Sequence, residues 1–417
     1  MRPAARLQAI ADLLAELTTS RQPLDRMVQS WGRQNRYAGS KDRRAISDSL
    51  FAIARHYGPL RARLGHDTPL LMVMLATHLL DDMPLDEVLA LADGSRHAPP
   101  VLSKNDEANL RHAAAHMPTA RADALSVPDW LLPEIDAQLG DGSRAALQAM
   151  GHRAPVDVRV NLLKGDRAMA QSALADEGIE ASPHPHVDTA LRLTGTPRLV
   201  DGAAYQTGLI EVQDAGAQAV AAMCAAQPFD TVMDFCAGAG GKALAMAAQM
   251  QNKGRLLVHD AIAGRMKHLP ERAMRAGAEI IETVAAQDLR GLEGQCDLVV
   301  VDVPCSGTGR WRRAPETKWR LTAEALADLH DLQGQILRQA ARLLRPEGRL
   351  AYITCSLLSS ENDRQIDKFL EENQGFEELE TDGPTGLQAR HMLHPGNADT
   401  DGLYIAVLQR CAAGDGA

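Results

Sequence analysis

The sequence predicts an α/β protein: a mainly parallel, doubly wound sheet in the C-terminal half, preceded by a small α+β module and an all-helical region. Three observations carry this. From about residue 206, short β-branched runs alternate with helical stretches in strand–loop–helix order. Between about 125 and 205, strand and helix patterns mix over a short span, and before about 154 no strand pattern is present. The expected domains are 1–124, 125–205 and 206–412.

In order, Ala4, Leu7, Ile10, Leu14 and Leu17 recur three or four apart and predict an amphipathic helix over 4–17. A second is expected from Asp42 to about Tyr57, with Ser40 as its cap and Ile46, Leu50 and Ile53 inward. A more buried helix covers about 69–80, a fourth starts near Pro84, and the stretch from Arg96 to Asn109 reads as a polar break. Ser126 to Leu132 opens a short helix with Pro128 in its first turn. Val156, Val158, Val160 and Leu162 alternate as in a strand, a helix follows over about 168–177, and Ala190 begins another strand.

Strands are then expected at about 231–235, 255–259, 279–284, 297–301 and 349–354. Helices lie between them, the longest from Ala323 to Leu344. The region from Pro384 to Asp401 reads as a loop rich in turn residues.

Composition bounds the rest. A chain of 417 residues, 45% hydrophobic and 24% charged, is long enough for several cores and reads as globular. The apolar run near Leu70 to Leu80 is too short to span a bilayer, and no secretory apolar segment opens the chain, so a cytoplasmic protein is expected. Cys224, Cys236, Cys296, Cys305, Cys355 and Cys411 form no CxxC or zinc spacing, which argues against a metal or disulfide framework. The net charge of −10 is uneven: residues 1–65 carry seven more Lys/Arg than Asp/Glu, room for a local phosphate-binding face.

The chemistry concentrates at the strand ends, where ligands bind in open α/β sheets. Cys236-Ala237-Gly238-Ala239-Gly240-Gly241-Lys242 follows a strand and opens a helix, but is neither a Walker loop nor a GxGxxG fingerprint. Asp260, Asp288 and Asp302 stand at or beyond three strand ends. Such acids would repel a polyphosphate and suit a ribose and a cationic sulfonium, which favours S-adenosylmethionine over NAD or ATP. A nicotinamide dehydrogenase also lacks its pyrophosphate loop.

Cys305 and Cys355 each lie at or just past a strand end. If those strands are neighbours, the two thiols and Asp302 share one pocket. A thiolate adding to C6 of a pyrimidine makes C5 nucleophilic toward a methyl group, an acid supports that addition, and a base removes the C5 proton. Arg310, Arg312, Arg313 and Lys318 are candidates to favour the thiolate, and the arginines are candidates to hold an anionic backbone.

The chain resembles the RsmB/Sun-type RNA cytosine-5 methyltransferase family. The similarity rests on Pro128-Asp-Trp-Leu, Arg159-Val-Asn161, Val212-Gln213-Asp214 and the loop at 236–242. It continues through Asp302-Val-Pro-Cys305-Ser-Gly-Thr-Gly, Arg312-Arg-Ala-Pro-Glu-Thr-Lys-Trp319, Thr354-Cys355-Ser356 and Asp401-Gly-Leu-Tyr-Ile-Ala. The resemblance implies a Rossmann-like S-adenosylmethionine-dependent methyltransferase domain with 16S ribosomal RNA, or a small-subunit assembly intermediate, as partner, no membrane, and a monomer. It implies that Cys355 is the nucleophile, that Cys305 helps release the product, and that Asp302 contacts the target cytosine. Residues 236–242, Asp260 and Asp288, with Asp302, would bind the cofactor. DNA cytosine-5 methyltransferases attack instead with the cysteine of a Pro-Cys pair, which would exchange the two thiols; Thr354-Cys355-Ser356 favours the RNA-type order. Gly238-Ala239 replaces the family's more common Ala-Pro. Tyr37 to Arg44 resembles part of a NusB-like RNA-binding domain, and 125–205 is expected to be an RNA-binding module. A degenerate fold serving only as an RNA-binding assembly factor would not need Asp302, Cys305, Cys355, Asp260 and Asp288 all in place.

Overall fold

The computed structural model describes residues 1–412, which form two compact units. One comprises Met1–Pro133, Ser143–Arg153 and Trp311–Arg320; the other comprises Glu134–Gly142, Ala154–Arg310 and the chain from Leu321 onward.

The first unit is helical. Its opening helix, Pro3–Thr19, starts on a proline whose missing N–H costs nothing in a first turn, and it buries Leu7, Ile10 and Leu14. Ser40–Arg55 buries Ile46, Leu50 and Ile53; Gly39, not Ser40, occupies its cap position, and no side chain caps it. Pro69–Leu80 falls where its apolar run predicts, with Leu71 to Ala76 all buried. The expected polar break holds a further helix, Lys104–Ala115, begun by Ser103, whose Oγ accepts from the Asp106 N–H at 3.1 Å. Only Leu110 and Ala113 of it are buried, too narrow a stripe for periodicity to reveal.

The segment Trp311–Arg320 belongs to this unit, although the expected domain 206–412 included it. The Trp319 ring lies 5.3 Å from that of Tyr57, Arg55 Nε donates to the Arg312 carbonyl at 2.9 Å, and Glu316 Oε1 accepts from the Leu24 N–H at 3.1 Å. Arg312 and Lys318 are both buried, which corrects the expectation that Arg312 lies open to an anionic backbone.

The second unit holds two main sheets and a two-stranded hairpin. Strands β1 (Val156–Val160), β2 (Ala181–Pro183), β3 (Ala190–Leu193) and β4 (Ile210–Val212) form an antiparallel sheet in the order β2-β3-β1-β4. Strand β4 pairs with β1, so this sheet extends past residue 205. The strands β5 (Thr231–Asp234), β6 (Arg255–Val258), β7 (Ile281–Thr283), β8 (Cys296–Asp302), β9 (Leu344–Thr354), β10 (Phe376–Leu379), β13 (Arg390–Leu393) and β14 (Leu403–Arg410) form the larger sheet. Its order is β10-β14-β9-β8-β5-β6-β7, with β13 also on β14. Five strands, β5 to β9, are parallel neighbours; β14 runs antiparallel to β9, β10 and β13. A hairpin of β11 (Thr381–Gly383) and β12 (Gly386–Gln388) lies apart.

The expected loop at 384–401 therefore contains two strands, β12 and β13. Their brevity, three and four residues, hides them among turn residues. Strand β8 shows why its run is continuously apolar. Leu298 and Val300 enter one core with Val232, Leu256 and Ile353, while Val299 and Val301 enter the other with Leu337, Leu350 and Tyr352.

The two main sheets of this unit are tied by polar groups in and just after β1. Arg159 Nη1 donates to Gln213 Oε1 at 2.9 Å and to the Gly241 carbonyl at 2.8 Å; Asn161 Nδ2 donates to the carbonyls of Gly208 and Ala276. Both side chains are buried, so these bonds replace water they cannot reach. Arg159 thereby fixes the antiparallel module to the glycine-rich loop.

Candidate active site

The site lies at the carboxyl ends of the parallel strands. Strand β5 ends at Asp234, and the chain turns through Gly238 (φ +53°) and Gly240 (φ +82°) into the helix Gly241–Gln249. At Gly240 any β-carbon would collide with Leu269, so both the left-handed backbone and the close packing require glycine. The turn is held by Ala237 N–H to the His259 carbonyl at 2.8 Å and Gly238 N–H to Asp260 Oδ2 at 3.0 Å. Asp260 Oδ1 accepts from the Ile262 N–H at 2.8 Å.

Strand β8 delivers Asp302, and its neighbour β9 delivers Cys355; the register sets Asp302 beside Ile353. This brings the two thiols together: Cys305 Sγ and Cys355 Sγ are 3.4 Å apart, and the Cys355 N–H donates to Cys305 Sγ at 3.3 Å. Lys242, from the first turn of the helix after the glycine loop, donates from Nζ to Asp302 Oδ2 at 2.5 Å. Small-molecule sites typically enclose about 300–1,000 Å³, and a cavity of ≈ 670 Å³ is lined by Cys236, Gly238, Asp260, Ile262, Asp302 and Cys305, with Cys355 at its wall.

Electrostatics separates the thiols. Cys355 is held below the usual thiol range, first because it accepts a hydrogen bond from Cys305, with Arg310 and Lys242 also favouring the thiolate against burial and Asp302. Cys305 is pushed well up by that same bond, by burial and by the charges of Cys355 and Glu361. One thiol carries the proton and the other gives it up. Lys242 is held charged because Asp302 and Asp234 outweigh its burial. Burial, then Asp302, raises Asp234 to about 7. Cys236 is raised by burial and then by Asp234, Asp302 and Asp260, which makes it a poor nucleophile.

Sequence reasoning named Asp260, Asp302, Cys305, Cys355, Cys236 and Gly238, all of which line this cavity. Ala237, Ala239, Gly240 and Gly241 build the turn behind it, and Lys242 faces Asp302. Asp288 is not among the residues lining this cavity: it lies in a 3-10 segment, Ala286–Leu292, past the end of β7, and is exposed. Of the four cations expected near the thiolate, Arg310 acts on Cys355, and Lys242 was not among them.

Two residues were missed. Asp234 is buried with Oδ1 unpartnered, and its only sequence signal is its place at the end of β5, two residues before the glycine loop. Glu361 is fully buried beneath both cysteine loops, in a stretch with no strand or helix pattern.

The donor set fits S-adenosylmethionine. Asp260 closes β6 at the cavity wall, acids rather than a phosphate cradle surround the loop, and the orphaned Asp234 Oδ1 is an acceptor awaiting a donor or cation.

Comparison with known proteins bears on the same residues. Residues 221–409 match the family model described as 16S rRNA methyltransferase RsmB/F, and residues 127–199 match the RsmF/B-like ferredoxin-like domain. Ribosomal RNA small subunit methyltransferase B of Xylella fastidiosa is 34% identical over 299 residues, 70% of each chain. The probable ribosomal RNA small subunit methyltransferase B of Synechocystis is 32% identical over 299 residues, 68% of this chain and 67% of its own. Among solved structures, PH0851 superposes with a TM-score of 0.77 at 24% identity over 98% of this chain and 99% of its own. NSun6 from Pyrococcus horikoshii, solved with SFG, gives 0.60 at 18% identity over 68% of this chain and 98% of its own; both establish the fold. The chain belongs to the RsmB/F family of S-adenosylmethionine-dependent 16S rRNA methyltransferases.

Proposed function

We propose that the protein methylates position 5 of a cytosine in 16S ribosomal RNA through a covalent bond from Cys355 to the base. The observation that carries this is the pair of thiols, 3.4 Å apart beside Asp302 in one cavity. A methyltransferase acting on a nitrogen or an oxygen has no need of two thiols, because those atoms already carry a lone pair.

Cys355, the thiol favoured as thiolate, adds to C6 and turns C4–C5–C6 into an enamine. Asp302 hydrogen-bonds the base edge while Lys242 opposes its charge and fixes its orientation. S-adenosylmethionine supplies an electrophilic methyl group, held by the 236–242 loop, Asp260 and Asp234. C5 would form its bond to that methyl carbon as the methyl–sulfonium bond breaks, its electron pair leaving with the neutral thioether; a base then takes the C5 proton, the C5–H pair restores the C5–C6 double bond, the C6–S bond breaks, and its electron pair returns to Cys355 sulfur. Cys305, hydrogen-bonded to that sulfur, assists the release. Asp288, in the exposed segment after β7, is assigned to the adenine end of the cofactor. The helical unit, with the excess of positive charge over residues 1–65, adds RNA contacts.

Bisulfite sequencing of 16S rRNA from a deletion strain tests this. One cytosine that resists conversion in the parent should convert in the deletion, and the wild-type gene but not Cys355→Ala should restore resistance. An unchanged bisulfite map, with a methyl group lost elsewhere in the RNA, would contradict the cytosine-5 assignment.

A further inference from the structure

Glu361 has no part in the chemistry above, yet it is fully buried and has no ion-pair partner among the described residues. An isolated carboxylate in such a place is costly unless its lone pairs are satisfied. Here four donors converge on it. Oε1 accepts from the Ser306 N–H at 2.8 Å and from Gln333 Nε2 at 2.9 Å; Oε2 accepts from Ser306 Oγ and from Ser356 Oγ, both at 2.5 Å. Ser306 is the residue after Cys305, and Ser356 is the residue after Cys355.

We infer that Glu361 is a positioning residue that locks the Cys305 loop to the Cys355 loop at the separation that lets one thiol hydrogen-bond the other. The inference rests on the assignment of those two thiols to the reaction. The surrounding bonds converge on the same purpose. Gln333 Nε2 also donates to the Pro304 carbonyl at 2.9 Å, and the Leu357 N–H donates to Thr308 Oγ1 at 2.7 Å. The Tyr352 hydroxyl holds the Glu361 carbonyl at 2.6 Å. The carboxylate does more than a neutral crosslink would, because its charge sits behind Cys305 and favours the protonated thiol there. The leading charges on the pair are Asp302, Arg310 and Lys242 at Cys355, and Glu361 at Cys305.

The geometry supplies a substitution that separates charge from shape. In Glu361→Gln the amide oxygen can replace Oε1 and keep both N–H donors. The amide nitrogen would replace Oε2 and donate to the two serine hydroxyls, which rotate to accept. The full-length protein and its variants would be alkylated with iodoacetamide from pH 6 to 10, each cysteine followed by mass spectrometry and the fold by thermal melting. Wild type should alkylate Cys355 at lower pH than Cys305. Glu361→Gln should bring the Cys305 midpoint down by roughly one pH unit, about tenfold in rate below it, with its melting curve little changed.

Gln333→Met gives an independent reading of opposite sign: stripping one donor leaves the charge less compensated and should raise the Cys305 midpoint. If both variants leave the Cys305 and Cys355 profiles as in wild type, Glu361 does not set the relation between the two thiols and the inference fails. If wild type alkylates Cys305 first, the thiol assignment fails instead, whatever the variants do.

Discussion

Lys242→Met is the most informative single change outside the thiols. The lysine donates to Asp302 Oδ2 at 2.5 Å, with the two side chains 11% and 36% exposed. Removing one partner of a buried ion pair costs about 3–5 kcal/mol. Because Asp302 is more than a third exposed, solvent screens it, and a loss of roughly 2 kcal/mol is the better expectation. For a unit of this size that is a fall of roughly 4–8 °C in melting temperature.

The effect on rate comes from a second source. Lys242 is one of two cations that favour the Cys355 thiolate, so its loss raises the thiol toward its ordinary range. A rise of about one unit leaves roughly tenfold less thiolate at pH 7, and a mis-set Asp302 adds about another tenfold. Tritiated methyl transfer from S-adenosylmethionine to 16S rRNA, followed from pH 6 to 9.5, should show kcat/KM down about 100-fold at pH 7. The acid limb should move to higher pH, with part of the loss recovered near pH 9. A variant within about threefold of wild type at pH 7, with an unmoved acid limb, would refute the role given to Lys242.

The glycine loop and the helical unit offer further tests. Gly240→Ala forces a β-carbon into Leu269 at φ +82°, whereas Gly238 at φ +53° has open space around its α-carbon. Gly240→Ala should therefore weaken S-adenosylhomocysteine binding in calorimetry by tenfold or more, about 1.4 kcal/mol or above, and Gly238→Ala by less. Equal losses would contradict the packing argument. Lys318 is fully buried, its Nζ lacks a hydrogen-bond partner, and burial with Arg55 nearby lowers it to about 7. Below pH 7 it is charged in folded and unfolded chains alike and its burial cost is fully present. Between about 7 and its unfolded value near 10.4 the unfolded chain alone holds the proton, so stability rises with pH. Lys318→Met should raise the melting temperature at pH 7 and flatten that rise; an unchanged slope would show that Lys318 is hydrated.

Much of the site was legible because it sits at strand ends. A β-branched run that stops at Asp302, and another that stops before Cys355, locate both residues at one edge of a parallel sheet. What the run cannot reveal is which strands are neighbours; the β8–β9 register that brings Cys305 to Cys355 is a tertiary fact. Asp288 stands outside the lining of the site's cavity because β7 is short and the chain then enters an exposed 3-10 segment. Glu361 and Asp234 were illegible for another reason: a carboxylate reads as exposed unless its partners are known, and those of Glu361 come from three separate stretches of chain.

In the fold, broad apolar stripes such as Pro69–Leu80 were found to the residue. The helix at Lys104–Ala115 and the strands β12 and β13 were lost for want of buried positions or length. Trp311–Arg320 shows the limit of reading domains as contiguous blocks. Its basic residues suggest a surface, yet Trp311, Arg312 and Lys318 fill the interior beside a helical unit made almost wholly from the N-terminal third of the chain.

The central claim is that Cys355 attacks and Cys305 releases. Purified wild type, Cys305→Ala and Cys355→Ala would be incubated with S-adenosylmethionine and 16S rRNA and resolved on a denaturing gel. Cys305→Ala should accumulate a protein–RNA adduct that survives denaturation, and Cys355→Ala should give neither adduct nor methylated RNA. An adduct with Cys355→Ala and none with Cys305→Ala would contradict the account and exchange the two thiols.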